Sequence, residues 1–126
     1  MGHEETGLPE DEHCKAFRHG IELFNQARFF DAHEVLEDVW RAAPAGQKKF
    51  FQGLIQVAVA FHHRSTGNQI GMRSLLERSM RNLSGYPERC EGVALAALLK
   101  ALAEWKHCLD NGSPPPALPR IESCEC

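Results

Sequence analysis

Apolar residues recur at helical spacing through most of the chain, and no segment between turn signals alternates convincingly in the manner of a strand. In the first such stretch, Phe17, Ile21 and Phe24 fall at i, i+4 and i+7. The pairs Phe29–Phe30 and Phe50–Phe51 are also expected in the core rather than in a binding patch. Glycine, proline and asparagine residues divide the pattern into segments, because these residues end or cap helices. The spacing predicts five helices, over about 11–25, 30–42, 47–66, 68–83 and 92–110. The predicted fold class is all-α, a compact bundle or array of about five helices with short loops.

A weak internal repeat relates the first two helices to the next two. A shift of 40 residues places Ala27 on Gly67 and Leu36 on Leu76. The first copy is similar to a tetratricopeptide helical hairpin, in which small residues let two helices approach closely. Such repeats normally need at least three copies. The sequence therefore predicts a tetratricopeptide-like hairpin that is used twice, not a repeat array.

Both ends of the chain differ from its middle in composition. Residues 1–10 are acidic without an apolar period, which predicts a disordered leader. Residues 11–111 carry the helical pattern and form the single domain. Gly112 and three successive prolines then end the last helix, so that residues 112–126 are expected to form a proline-rich, cysteine-containing tail. With 126 residues, 43% of them hydrophobic, the chain is long enough to bury a core.

Charge and cysteine content narrow the function classes. The net charge of −3 argues against a dedicated nucleic-acid binder. No apolar run approaches the roughly 20 residues of a membrane span, and the first residues lack the apolar core of a signal peptide. The five cysteines are odd in number and do not form a disulfide framework. We therefore expect a cytoplasmic protein without nucleic-acid or membrane partners, in which Cys124 and Cys126 are incidental thiols.

Polar residues on two neighbouring helices supply the candidate chemistry. His33 and Glu37 lie one turn apart on the second helix, so they can hydrogen-bond or share a cation. The third helix is apolar nearly all round, which is typical of a buried helix. It nevertheless carries a polar stripe: Gln52, Gln56 and His63. Because a buried polar group without a partner costs roughly 1–3 kcal/mol, the sequence predicts a polar cluster between helices two and three.

Three interpretations of this cluster stay open. It is a buried hydrogen-bond network that fixes helix register, a pocket for a divalent metal or small polar ligand, or a general acid/base pair formed by His33 and Glu37. A zinc-protease site is disfavoured because Glu37 stands where the second histidine belongs. The metal ligands would be His33, Glu37 and His63. The full candidate set comprises His33, Glu34, Glu37, Trp40, Gln52, Gln56, His62, His63 and Asn68.

Three linked motifs between residues 20 and 83 resemble a known family. They read FNxARFFDAHExLEDxW, FxQGLIQxAxAFHH and GNxxG, and they are similar to the domain of unknown function 309 family. The resemblance implies a small, cytosolic, all-helical prokaryotic protein, and it implies no reaction. Two positions depart from the family's usual residues: Ala27 replaces a glycine and Met72 an alanine. The matching positions are His33, Glu34, Glu37, Trp40, Gln52, Gly53, Gln56, His62, His63, Gly67 and Asn68.

The function predicted from these residues is binding of a metal ion or a small polar ligand. His33 and Glu37 are expected as primary contacts, with Gln56 and His63 in support and Trp40 as a wall. The alternative is a non-enzymatic protein–protein interaction module, suggested by the helical hairpins, in a monomer or homodimer. Whether the chain is an enzyme stays open. A cluster closed to water, in which every polar group has a hydrogen-bond partner, would indicate a structural role. A cleft open to solvent would indicate a binding site.

Overall fold

The computed structural model of the protein describes residues 10–123, and five α-helices dominate that range. The all-α fold class is confirmed. A short 3-10 turn, Ala45–Gln47, precedes the third helix. The helices are α1 (Glu10–Asn25), α2 (Phe29–Ala42), α3 (Lys48–Ser65), α4 (Gln69–Leu83) and α5 (Leu95–Asn111). Of the leader expected over residues 1–10, residues 1–9 lie outside the described residues and Glu10 begins α1. Cys124 and Cys126 also lie outside the described residues.

The apolar stripes of the helices meet in a single core. In α2 the stripe Phe29, Ala32, Leu36 and Val39 is buried, as the helical spacing requires. α3 is central, because α2 packs on one side of it and α4 on the other. Aromatic rings tie the layers together: Phe61 of α3 contacts both Phe29 of α2 and Trp105 of α5, with ring centroids 5.6 and 5.2 Å apart.

The two hairpins have the same turn, which confirms the internal repeat. Ala27 and Gly67 both adopt the left-handed conformation, at φ 64° and 82°. In each turn the next N–H, of Arg28 or Asn68, donates to a carbonyl five residues back at 2.9 or 2.8 Å. This is the hydrogen bond that satisfies the end of a helix in a Schellman turn. α2 and α4 therefore leave their turns in the same way, 40 residues apart.

Exchanging the residues at these two turns is expected to change stability in opposite directions. The left-handed conformation costs alanine energy that glycine does not lose, partly offset by the greater freedom of glycine in the unfolded chain. Ala27→Gly should raise the free energy of unfolding by about 0.5–1 kcal/mol, and Gly67→Ala should lower it by a similar amount. Urea denaturation of both variants measures this, and shifts of the same sign would contradict the common turn geometry.

A small β-hairpin separates α4 from α5, where helix was expected from residue 92. Strands Arg89–Cys90 and Val93–Ala94 pair antiparallel. Glu91 and Gly92 between them have φ of 52° and 78°, the pair of positive values that a tight two-residue hairpin turn requires. Two-residue strands are too short to show alternation, so the expectation of no strand is wrong here, and α5 begins three residues later than predicted.

The segment that follows α5 is extended, as expected, and it packs back onto the helices. Ile121 is buried, and the Asn25 side chain bonds both its N–H and its carbonyl, at 2.8 and 3.1 Å. The Trp105 indole donates to the carbonyl of Ala117 at 2.9 Å. Ser123 forms an isolated bridge with Val93. The proline-rich segment up to residue 123 is thus part of the packed body.

The cysteines are not all free thiols. Cys90 and Cys108 are free, and burial raises the pKa of the Cys90 thiol. Cys14, by contrast, is disulfide-bonded. The expectation of a chain without a disulfide is therefore wrong at Cys14, because sequence spacing does not show which cysteines the fold brings together.

Within residues 10–123, no helix has the length and apolarity needed to cross a membrane.

Candidate functional site

Several polar residues of the three motifs lie on an open surface of the three-helix layer α2–α3–α4, whereas Gly53 of the same motifs is buried. Two neighbouring helices and the core cover α3 on three sides, and its fourth side faces solvent. Although its apolar composition indicated a buried helix, α3 is therefore not buried on all sides: Gln52 is exposed, and His33 and Gln56 are half-buried. We call this surface the motif face. It comprises Phe30, His33, Glu34, Glu37, Asp38, Arg41, Gln52, Ile55, Gln56, Val59, His62, His63, Arg78 and Arg81.

On α2, His33 is held in place from two sides. Its Nε2 lies 3.3 Å from Oε2 of Glu37, and its Nδ1 lies 3.1 Å from the carbonyl oxygen of Phe30. The predicted contact between His33 and Glu37 is confirmed. Arg41 in turn lies 3.7 Å from the other Glu37 oxygen, which partly neutralises the carboxylate. The His33 ring is thereby oriented toward α3, as a carboxylate-paired imidazole is in many binding sites.

Phe30 lies between two imidazole rings. Its ring centroid is 5.2 Å from those of both His33 and His62, yet the residue is 49% exposed. The sequence favoured a core position for Phe30, and this is wrong: its neighbour Phe29 is the one that points inward, since adjacent helical residues differ by about 100°. A cleft of about 270 Å³ opens here, and its lining residues are Phe30, His33, Val59, His62 and His63. Both histidines of the His-His pair thus face the cleft.

The other predicted members of the cluster form separate contacts toward α4. Gln56 accepts a hydrogen bond from the Asn82 amide at 2.9 Å; Asn82 lies outside the motifs and was not anticipated. His63 Nδ1 lies 3.4 Å from the amide nitrogen of Asn68, and Asn68 caps α4 as predicted by accepting from the N–H of Gly71 at 2.9 Å. The glutamine and asparagine contacts therefore join α3 to α4 rather than α3 to α2.

Trp40 lies at the far end of α2, beside the start of α3. The Lys48 ammonium lies 4.7 Å from the centre of a Trp40 ring and donates to the Trp40 carbonyl at 2.6 Å. The buried indole nitrogen has no hydrogen-bond partner among the described residues. Trp40 and the exposed Glu34 do not line the cleft, so the expected tryptophan wall is replaced by Phe30.

The geometry gives little support to a metal centre. Across residues 10–123, no group of three His, Cys, Asp or Glu side chains could hold a metal ion. Of the expected ligands, His33 already has a neighbour at each ring nitrogen, and the Nδ1 of His63 faces Asn68. The cleft instead combines the imidazole groups of its histidines with the exposed phenyl ring of Phe30.

A larger groove of about 910 Å³ runs between the α3–α4 turn and the end of α5. Of the positions that match the family motifs, only Gly67 and Asn68 line this groove. Arg64 also lines it, but its guanidinium group stacks on Trp105, 4.9 Å from the ring centre. The smaller cleft combines more of the motif side chains, and we take it as the candidate site.

Comparison with known proteins shows which family these motifs are similar to. The family model described as "Domain of unknown function (DUF309)" matches residues 17–75, which span α2, α3 and the whole cleft. The resemblance to the DUF309 family is confirmed. An uncharacterized protein of Aquifex aeolicus (strain VF5) is 29% identical over 103 residues, which are 81% of this chain and 31% of that protein. The uncharacterized protein YpuF of Bacillus subtilis (strain 168) is 32% identical over 76 residues, 60% of this chain and 44% of YpuF.

This chain thus aligns with less than half the length of each of these relatives. Neither relative has an activity in its description, so the DUF309 match carries no reaction with it. The function has to be argued from the site.

Proposed function

We propose that the cleft between α2 and α3 binds a small polar ligand with a flat ring. The observation that carries this proposal is the position of Phe30, half exposed between His33 and His62 at the mouth of the cleft. An exposed phenyl ring gains about 25 cal/mol for each Å² of apolar area that a ligand covers. A ring of the ligand would therefore rest on Phe30 and Val59.

The polar part of the ligand would meet the histidines. The His62 ring makes no hydrogen bond with any described residue, so one of its nitrogens is free to donate or accept. His33 is preoriented by Glu37 and by the Phe30 carbonyl, which reduces the entropy lost on binding. The volume of about 270 Å³ lies just below the usual range for drug-sized ligands, which favours a single-ring compound.

Phenol is a suitable probe, because it combines one flat ring with one hydroxyl group. We expect the wild-type protein to bind it with a Kd on the order of 1 mM. His62→Ala removes both a ring contact and the free imidazole nitrogen, so it should weaken binding about tenfold. Ligand-detected NMR, by saturation transfer to the phenol protons, measures both affinities.

His19→Ala is the matched control, because His19 is an exposed histidine of α1 and lies outside the cleft. It should bind phenol like the wild type. Cyclohexanol, which has the hydroxyl group but no flat face, should bind more weakly than phenol. Equal weakening by His19→Ala and His62→Ala, or no saturation transfer to phenol at all, would contradict the proposal.

A further inference from the structure

Residues 113–119, which follow α5, form neither helix nor strand. We call this segment the proline ridge, because its prolines are Pro114, Pro115, Pro116 and Pro119. A proline fixes its own φ at about −65° and disfavours the α conformation for the residue before it. Ala117 alone in the ridge is neither a proline nor the residue before one. The sequence therefore favours the extended polyproline II conformation along the whole ridge.

The burial of the proline ridge repeats every three residues. Ser113 and Pro116 are half-buried and Pro119 is buried, whereas the residues between them are exposed. A polyproline II helix has three residues per turn, so one of its edges faces the body of the protein and the other two edges face solvent. The exposed residues are Pro114, Pro115, Ala117 and Leu118.

Hydrogen bonds hold the proline ridge against α5. The Trp105 indole donates to the carbonyl of Ala117 at 2.9 Å, and the Cys108 thiol donates to the carbonyl of Ser113 at 3.0 Å. The carbonyls of residues 114–116 accept no hydrogen bond from a described residue. The ridge is thus preorganised, which reduces the entropy lost on binding, and its outer carbonyls are available to a donor.

A hollow lies on each side of the proline ridge. Pro115 lines the groove of about 910 Å³ toward α4, in which Ile70 is 85% exposed. Pro114 and Pro116 line a second hollow of about 510 Å³ along α5, beside Ala103. The ridge therefore projects between two partly apolar hollows, and a concave partner with projecting side chains would fit over it.

We propose that the proline ridge binds a partner protein whose groove is lined by aromatic side chains. Such grooves recognise polyproline II segments, because their rings pack against prolines while indole and hydroxyl groups donate to free carbonyls. Pro115 and Leu118, three residues apart, form one apolar edge for these rings. Leu118 is 41% exposed, so a partner would cover apolar area that this chain leaves in water.

The partner is a different protein and not a second copy of this chain. Within residues 10–123, Phe30 is the one aromatic residue that is exposed, so the described part of the chain offers no groove lined by several aromatic rings. The proline ridge does not line the cleft of the proposed ligand. The ridge and the cleft therefore stand or fall separately.

Three domains that recognise polyproline II serve as probes: an SH3 domain, a WW domain and an EVH1 domain. We expect at least one of them to bind the protein with a Kd on the order of 100 μM, measured by chemical-shift titration. Pro115→Ala/Leu118→Ala removes the apolar edge and should weaken this binding about tenfold. Pro44→Ala/Pro87→Ala, which alters two exposed prolines outside the ridge, should bind like the wild type.

Ala117→Pro tests the ridge without removing a contact. Ala117 is exposed, and its N–H makes no hydrogen bond with a described residue. A proline there stiffens the ridge further, so binding should tighten about threefold. The NMR signal of the Trp105 indole N–H, which bonds the Ala117 carbonyl, should keep its position in these variants if the ridge stays docked.

Three results would overturn the proposal. The first is the absence of binding by all three probes at about 1 mM, a concentration well above the expected Kd. The second is equal weakening by Pro115→Ala/Leu118→Ala and by Pro44→Ala/Pro87→Ala. The third is weaker binding by Ala117→Pro with an unchanged Trp105 indole signal.

Discussion

Phe61→Ala is expected to lower the free energy of unfolding by about 4 kcal/mol, the middle of the range for a buried phenylalanine. Phe61 is 1% exposed and connects three helices through its contacts with Phe29 and Trp105. Its removal leaves a cavity at the centre of the molecule that these rings cannot close. Urea or thermal denaturation followed by circular dichroism measures the loss, which is a large part of the 5–15 kcal/mol typical of a domain.

Phe30→Ala provides the control for this prediction. This substitution also removes a phenylalanine side chain, but from a position of α2 that is 49% exposed. The loss of stability should therefore stay below about 1 kcal/mol. A small loss would show that Phe30 contributes to the surface of the cleft and little to the core. Equal losses from Phe61→Ala and Phe30→Ala would contradict the described packing.

Gly53→Val is expected to destabilise the protein by about 3 kcal/mol, because it overfills the closest contact between α3 and α4. A Cβ atom at Gly53 would lie 2.6 Å from Cγ of Leu83 and 3.4 Å from Cβ of Asn82. Leu83 is fully buried and has no room to move away, so the two helices have to separate. Thermal denaturation should show a lower midpoint, and the Gln56–Asn82 contact should be weakened in the same variant.

Gly46→Val is the matched substitution in open space. No atom lies within 4 Å of a Cβ built at Gly46, so the change should cost less than about 1 kcal/mol. A Gly53→Val variant as stable as Gly46→Val would show that α3 and α4 are not in close contact at this point.

Much of the fold could be predicted from the sequence because helical periodicity is a local signal. The stripe of α2, the Asn68 cap and the repeated turn at Ala27 and Gly67 all follow from residues close together in the chain. The hairpin around Glu91 and Gly92 is too short for its strands to show a pattern. The disulfide of Cys14 depends on tertiary proximity, which spacing alone does not contain.

The candidate site was predicted only in part, for a related reason. Neighbours one turn apart, such as His33 and Glu37, could be paired from the sequence. The apolar composition of α3 indicated a central helix, but it could not show that one side of that helix stays open. Gln56 was consequently expected to face α2, whereas it bonds Asn82 of α4. For the same reason Phe30 was expected in the core, whereas it borders the cleft.

The measurement that tests the central claim most directly is a map of amide chemical shifts during a phenol titration. If the cleft binds a ring-bearing polar ligand, the saturable changes should cluster at the start of α2 and the end of α3, around Phe30, Val59 and His62. Phe30→Ala should remove most of them while the rest of the spectrum stays that of a folded protein. Saturable changes centred on another surface, or a map unaltered by Phe30→Ala, would contradict the account.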